Sequence, residues 1–248
     1  MTVPRDPRLV ARKAVGRIEA TVRWERRLND REERRFDRRL GVDTGGRLEP
    51  AALTVASGDP AEGTTYVGTQ PRLARWWMSA LPPDHGRFTF IDMGSGKGRV
   101  LLFAAEAGFA RSMGVEFAEE LHASAVENAA AAARHGLVIE PILGDATTFE
   151  FPDEPLVVHF NNPFTEKVMA PVLDNLSSSY ARTPRPIVVV YQRMRKELPG
   201  HDLRNFELLD AVPFLRGHEL PPPRGFVDRR VVRPFVVRIY QSPEAAQA

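Results

Sequence analysis

Apolar and polar residues follow each other along this chain in three rhythms, and each predicts different structure. Over residues 7–40, Val10, Ala14, Ile18 and Val22 recur every four positions with Val15 beside them, while Arg and Glu fill the other faces. That is the spacing of an amphipathic helix. The run "RLNDREERRFDRRLG" continues it or starts a second helix after Asn29-Asp30, and Gly41 supplies a stop. Residues 41–70 have no period and are rich in Gly, Thr and Pro, so they read as loop. In "PRLARWWMSAL", Pro71 sits where helices begin, and Leu73, Trp76, Trp77 and Leu81 form the side expected to be buried. From Phe88 onward, short apolar runs alternate with helical segments. Strands are expected at Phe88–Met93, Ser112–Glu116, Val138–Ile142, Leu156–Asn161 and Ile187–Gln192, with helices at Lys97–Ala107, Ala118–His135 and Thr165–Ser178. After Arg193 the rhythm changes: "FELLDAVPF" and "VVRPFVVRIYQ" read as two strands with no long helix between them, able to pair antiparallel at one edge. "ELPPPRG" reads as a surface loop.

Strand–helix alternation predicts βαβ units, hence an α/β fold with a mostly parallel sheet, here with an antiparallel edge strand and a helical N-terminal extension. Continuous apolar strands fit a sheet covered on both faces. The length, 248 residues of which 43% are hydrophobic, suits one α/β domain with a modest extension. No apolar run approaches the roughly 20 residues of a membrane span, and no signal-peptide core precedes the first helix, so no membrane partner is expected. Cysteine is absent, which excludes disulfides, thiolate metal sites and Cys nucleophiles. It is compatible with a reducing cytoplasm, the compartment expected here. Net charge is +2 but uneven: residues 1–40 hold 13 Lys/Arg against 7 Asp/Glu, a surplus of 6 that leaves the remainder at −4. Basic residues are overwhelmingly Arg, which with the Ala richness reads as a GC-rich bacterial coding habit. A basic first helix raises the prospect of a nucleic-acid arm. The acids interleaved with its arginines argue instead for a solvated helix that packs on the domain or covers its site.

The stretch "FIDMGSGKGR" carries the candidate chemistry. A P-loop requires Gly-x4-Gly-Lys-Ser/Thr. Counted back from Gly96-Lys97, its first Gly falls on Ile91 and its hydroxyl position on Gly98. The dinucleotide fingerprint Gly-x-Gly-x-x-Gly is met by Gly94 and Gly96 but finds Arg99 at its third glycine. The run present is Asp92-x-Gly94-x-Gly96-x-Gly98. Its glycines allow a sharp turn and bare backbone against a ligand. The Asp92 carboxylate at the mouth repels a pyrophosphate and attracts a cationic amino-acid group. Glu116, ending the next strand, stands where an acid accepts from a ribose diol. Asp145 follows the third strand, where a carboxylate can take an adenine amino group. One ligand combines amino acid, ribose and adenine without phosphate: S-adenosylmethionine.

"FIDMGSGKGR", "GVEF", "GDA" and "FNNPF" together resemble motifs one to four of the class I S-adenosylmethionine-dependent methyltransferases, in order and at normal spacing. The likeness covers residues 64–240, and the "DxGSGKGR" and "NPF" wording is similar to a bacterial subgroup of these enzymes. It implies a Rossmann-like sheet, S-adenosylmethionine as cofactor and methyl transfer as the activity. It divides the chain into an extension over residues 1–63, acting as lid or docking element, and a methyltransferase domain over residues 64–248. It implies that Asp92, Gly94, Ser95 and Gly96 contact the methionine part, that Glu116 binds the ribose and Phe117 stacks on the adenine, that Asp145 and Ala146 hold the adenine edge, and that Tyr66 caps the cofactor.

In amino-methylating members the fourth motif is Asn/Asp-Pro-Pro-Tyr/Phe, and its Asn and a backbone carbonyl accept from the target NH2. Here Asn161, Asn162, Pro163 and Phe164 keep the Asn, one Pro and the aromatic, but Asn162 replaces the first Pro. An amide still suits a neutral nitrogen. Candidate bases are His218, His159 and His122, with Tyr191 and Gln192 as pocket wall. No carboxylate or His cluster suggests a metal, and none is expected. The expected acceptor is a small molecule with an N or O nucleophile. The alternatives are a protein side chain or an RNA docked on the Arg-rich helices, and a silent cofactor-binding subunit.

Overall fold

The computed structural model describes residues 7–55, 62–195 and 204–247. In the first helix, side chains are described from Trp24 onward, and that of Phe226 is not described. The expected apolar series Val10, Ala14, Val15, Ile18 and Val22 therefore lies outside the described side chains.

Helix α1 (Pro7–Leu40) is continuous through Asn29-Asp30, and Gly41 ends it at φ 67°. Two short strands, β1 (Arg47–Leu48) and β2 (Tyr66–Val67), pair antiparallel within the segment expected to be loop. Helix α2 (Pro71–Met78) starts on Pro71, as its sequence demands, and buries Leu73, Ala74, Trp77 and Met78, while Trp76 stays half-exposed.

The body is a seven-stranded sheet in the order β5-β4-β3-β6-β7-β9-β8. Strands β3 (Thr89–Met93), β4 (Arg111–Glu116), β5 (Glu140–Leu143), β6 (Leu156–Asn161) and β7 (Ile187–Met194) are parallel; β9 (Phe235–Gln241) and β8 (Arg216–Glu219) close the far edge antiparallel. Helices α3 (Arg99–Ala107), α4 (Glu119–Ala133) and α5 (Glu166–Arg182) make the crossovers. Every residue of β3 is buried, as a central strand covered on both faces requires. Alternate residues divide between two cores. Phe90, Val157, Val188, Val190 and Ile239 face α1, α2 and α3, whereas Ile91, Met93, Val158, Val189 and Tyr191 face α5 and α6 (Arg204–Ala211). Phe36 and Leu40 of α1, each 2% exposed, belong to the first core.

The C-terminal region departs from expectation. "FELLDAVPF" is not a strand: its first part is α6, which buries Asn205, Phe206 and Leu209 at helical spacing. A short apolar run does not separate helix from strand by periodicity alone. Helix α7 (Phe226–Val232) precedes β9. The antiparallel partners of β9 are β7 and the entirely exposed β8. β5 starts two residues later than expected and leaves Val138 72% exposed.

Candidate functional site

Strands β3, β4 and β6 end at one edge of the sheet. Between β3 and β6 the chain order reverses, the usual place for a ligand crevice in an open α/β sheet. A cleft with two lobes of about 680 and 580 Å³ opens there; Gly94, Phe117 and Phe164 line both.

The glycine turn after β3 is built tightly against the protein's own side chains. Gly94 and Gly96 have φ of 78° and 54°. A Cβ on Gly94 would lie 2.6 Å from Pro163 Cβ, and one on Gly96 would lie 2.2 Å from Tyr66 Cε2. The turn also consumes its own donors. The N–H groups of Gly94 and Ser95 both go to Val115 O (2.9 and 3.1 Å), and that of Gly98 goes to Ser95 O (2.9 Å). Gly96 N–H donates to Glu116 Oε2 (2.7 Å). The N–H groups of Gly94, Ser95, Gly96 and Gly98 are thus spent inside the protein, so the turn is not a phosphate cradle.

Carboxylates stand around this closed turn. Asp92 and Glu116, 3% and 4% exposed, both line the first lobe. Glu116 accepts the N–H of Gly96 through one oxygen and that of Ala118 (2.9 Å) through the other. Burial pushes its pKa up to about 6, against the pull of the backbone donors of Ala118, Gly96 and Phe117, with Asp92 adding to the rise. Asp92 Oδ1 accepts from Nδ1–H of His159 at 2.6 Å. The His159 ring stacks on Trp77 (4.8 Å between centroids), and its Nε2 is buried without a partner among the described residues. His159 thus holds Asp92 from below and does not line the cleft. Ser95 Oγ, on the lobe wall, is buried and without a partner among the described residues. In the second lobe, Asp145 Oδ1 accepts from the Thr147 N–H and hydroxyl (both 2.8 Å) beside buried Ala146.

A strap roofs the cleft. Tyr66, half-buried, donates its hydroxyl to Thr44 O (2.8 Å) while its ring packs on Gly96. Burial raises the pKa of this hydroxyl. Thr64 donates its N–H to Pro163 O (3.2 Å) and its hydroxyl to Asn162 O (2.9 Å). Arg99, the first residue of α3 and 2% exposed, ties this roof to α1: it bonds Thr44 Oγ1 (2.7 Å), Thr69 O (3.3 Å) and Glu33 (3.3 Å). Sequence reasoning passed over Arg99 as a failed glycine. Its signal was an Arg placed directly before six consecutive apolar residues of a helix.

The fourth motif divides. Asn161, Pro163 and Phe164 line the cleft. Asn161 Nδ2 donates to Thr69 Oγ1 (3.1 Å), as does Gln192 Nε2 (2.9 Å). Asn162 is turned away at φ 45°, 5% exposed, and its Oδ1 accepts the hydroxyl of buried Tyr191 (2.8 Å), which in turn accepts from Asn205 Nδ2 (2.8 Å). Asn162 and Tyr191 therefore belong to the core network beneath the cleft. His218 is exposed on β8, the outermost strand, three places from β6, and is not brought to the cleft; nor does His122 on α4 line it. Among the described residues, no three metal-ligating side chains are gathered, and no helix is long and apolar enough to cross a membrane.

Neither a protein-family profile nor any curated protein sequence matches the chain. Solved structures do. A SAM-dependent methyltransferase from Aquifex aeolicus superposes with a TM-score of 0.51 at 13% identity, over 68% of this chain and 89% of that one. The fold is the Rossmann-like methyltransferase fold. Phosphoethanolamine N-methyltransferase 1 from Haemonchus contortus, in complex with phosphoethanolamine and S-adenosylhomocysteine, matches with a TM-score of 0.50 at 14% identity, over 69% of this chain but 42% of its own. An RNA methyltransferase from Salinibacter ruber in complex with S-adenosyl-L-homocysteine covers 72% of this chain and 95% of its own at 20% identity, with a TM-score of 0.47.

Proposed function

We propose that this protein is an S-adenosylmethionine-dependent methyltransferase acting on an N or O nucleophile. One observation carries the reading. The amides of Gly94, Ser95, Gly96 and Gly98 are spent internally, yet two buried carboxylates and a Ser95 hydroxyl unpartnered among the described residues line the space in front of the turn. Such a lining rejects phosphate and accepts a cation-bearing, phosphate-free ligand. Asp92 and Ser95 take the amino-acid end, Glu116 the ribose hydroxyls, Phe117 the adenine face, and Asp145 and Ala146 its edge. When bound, S-adenosylmethionine supplies an electrophilic methyl on a sulfonium.

The residues' task is then to position and desolvate, which supplies most of the rate when the methyl donor is already activated. Asn161 is placed for the acceptor: its Nδ2 is engaged by Thr69, which leaves Oδ1 to accept from a nucleophile's N–H or O–H, with the Phe164 ring beside it. The carbonyls of Asn162 and Pro163 are already occupied by Thr64. A small acceptor reaching under the strap is the first reading. RNA is the second, favoured by the exposed arginines of α1.

Calorimetric titration with S-adenosylmethionine, S-adenosylhomocysteine and NAD tests the cofactor. Micromolar binding of the two sulfur ligands and none of NAD is expected. Asp92→Ala and Glu116→Ala should each weaken binding by about 1–3 kcal/mol, the loss of a charge-assisted hydrogen bond. Wild-type affinity in both variants would remove the assignment.

The raised Glu116 pKa adds a signature of opposite signs. Its ionised, accepting form prevails only above pH ~6. Cofactor affinity should fall as pH drops through 6, towards tenfold per unit. For stability, a carboxylate raised from 4.5 to about 6 contributes fully below pH 4.5 and loses about 2 kcal/mol as pH rises through 6. Thus, between pH 4.5 and 6.5, Glu116→Gln should flatten an affinity that rises and a stability contribution that falls. An affinity flat across pH 5–7.5 in the wild type excludes Glu116 as a ligand acceptor.

A further inference from the structure

Helix α1 sorts its charges between two faces. The inner face carries Phe36 and Leu40, and its acids are engaged by the body. Glu25 pairs with Arg230 (4.0 Å), Glu32 with Arg72 (2.5 Å) and Arg75 (3.7 Å), and Glu33 with Arg99 (3.3 Å); Asp37 accepts from Thr44 Oγ1 (2.5 Å). The outer face carries Arg27, Arg31, Arg34, Arg35 and Arg38, all exposed and without an ion pair or hydrogen bond among the described residues. At about 100° per residue, these five and Trp24 fall within an arc of about 100°, along about 21 Å of helix. Trp24 is 44% exposed at one end of this stripe. The one exposed acid on this part of the helix, Asp30, sits at the margin of the arc. In the sequence the interleaved acids argued against a nucleic-acid arm. From Trp24 to Leu40, folding turns every acid but Asp30 inward and leaves a nearly pure arginine surface on a chain of net charge +2.

We propose that this outer face of α1 docks single-stranded RNA, with the arginines on successive phosphates and Trp24 stacked against an unstacked base. Arginines with an exposed aromatic are the pairing that tracks a single strand, one group for the backbone and the other for a base face. A duplex keeps its bases stacked away from Trp24. An acidic polypeptide would meet the charges but has no base for the indole. A membrane surface would require an apolar face, and the stripe offers one apolar side chain. The proposal rests on the second acceptor reading, RNA as substrate, but its test does not depend on methyl transfer.

The test is fluorescence anisotropy of a labelled single-stranded RNA of about 12 nucleotides with the full chain, over a salt series. Binding should fall with salt along a log–log slope near −3.5, about 0.7 for each of five phosphates. Replacing Arg27, Arg31, Arg34 and Arg38 by Gln should weaken binding about a hundredfold at low salt and make the slope shallower by about 3. The same four changed to Lys should keep most of it, which separates charge from helix damage because both residues form helix well. Trp24→Ala should cost roughly tenfold with the slope unchanged. The proposal is overturned by a slope near zero, by Gln variants that bind as wild type with an unchanged thermal midpoint, by preference for duplex or for single-stranded DNA, or by poly-glutamate binding as tightly as RNA. RNA binding of the expected kind without any S-adenosylmethionine binding would leave the docking face standing and remove the cofactor reading; the converse would do the reverse.

Discussion

Gly96→Ala is expected to abolish measurable cofactor binding and lower stability. Two penalties combine at this position. At φ 54° an alanine costs about 1–2 kcal/mol from contact of Cβ with its own backbone. The new Cβ would also lie 2.2 and 2.5 Å from Tyr66 Cε2 and Cδ2. Overpacking of this kind costs about 1–3 kcal/mol because something must move. The ring cannot swing freely, since its hydroxyl is fixed to Thr44 O at 2.8 Å. If Tyr66 moves, the roof opens; if the turn moves, the Gly96–Glu116 bond at 2.7 Å breaks. Either movement deforms the space between Asp92 and Glu116. The cycle Gly96→Ala, Tyr66→Ala and the double variant separates the terms. The double variant should regain the overpacking cost in thermal stability but not cofactor affinity, so the pair couples strongly. Gly96→Ala binding S-adenosylmethionine as wild type does would show that the turn lies outside the cofactor site.

The position of this turn is legible in the sequence, because a strand buried on both faces must be written as an apolar run and its end is marked by glycines. β3, β6 and β7 follow that rule and fall within two residues of where their apolar runs place them. β8 does not. Its four residues, Arg216 to Glu219, are all exposed, so no apolar signal marks a strand held mainly by ladder bonds to β9 and an ion pair from Arg195 to Glu219. α6 carries an apolar signal of the wrong length: Phe206, Leu208 and Leu209 suit a strand as well as one turn of helix, and only packing against α5 decides.

The site is legible in its residue types and less so in their directions. Asn161 and Asn162 are identical in sequence, yet a φ of 45° sends the second into a bond with Tyr191 and leaves the first in the cleft. The roles of Arg99, Thr44 and Thr69 depend on contacts across 30 to 66 positions, beyond the reach of local pattern. The sorting of charge on α1 has the same origin. Which acids vanish inward is set by Arg72, Arg75, Arg99 and Arg230, none of which belongs to the helix.

Those inward pairs lead to the second expected result: Arg99→Met should destabilise the fold by about 3–5 kcal/mol and weaken cofactor binding with it. The guanidinium is 2% exposed, and removing it strands Glu33. Burial already raises the Glu33 pKa in spite of the opposing pull of Arg99. The pair is buried on its Arg99 side while Glu33 is 26% exposed, so breaking it falls at the lower end of that range, the remaining charge losing its compensation. The loss should spread to function, since Arg99 directly follows the glycine turn and holds Thr44, whose carbonyl fixes Tyr66 over Gly96. Glu33→Gln combined with Arg99→Met should recover a large part of the stability, because no uncompensated charge remains, but little of the affinity, because the roof stays untied. Chemical denaturation and calorimetry on the two variants read these outcomes separately. A double variant no more stable than Arg99→Met would mean that packing of the long side chain, not its charge, holds α1 to the body. The same linkage explains why deleting residues 1–40 is a poor probe of α1: it removes Phe36 and Leu40 from the core and strands Arg99 in one step, so loss of any activity would follow from the fold alone.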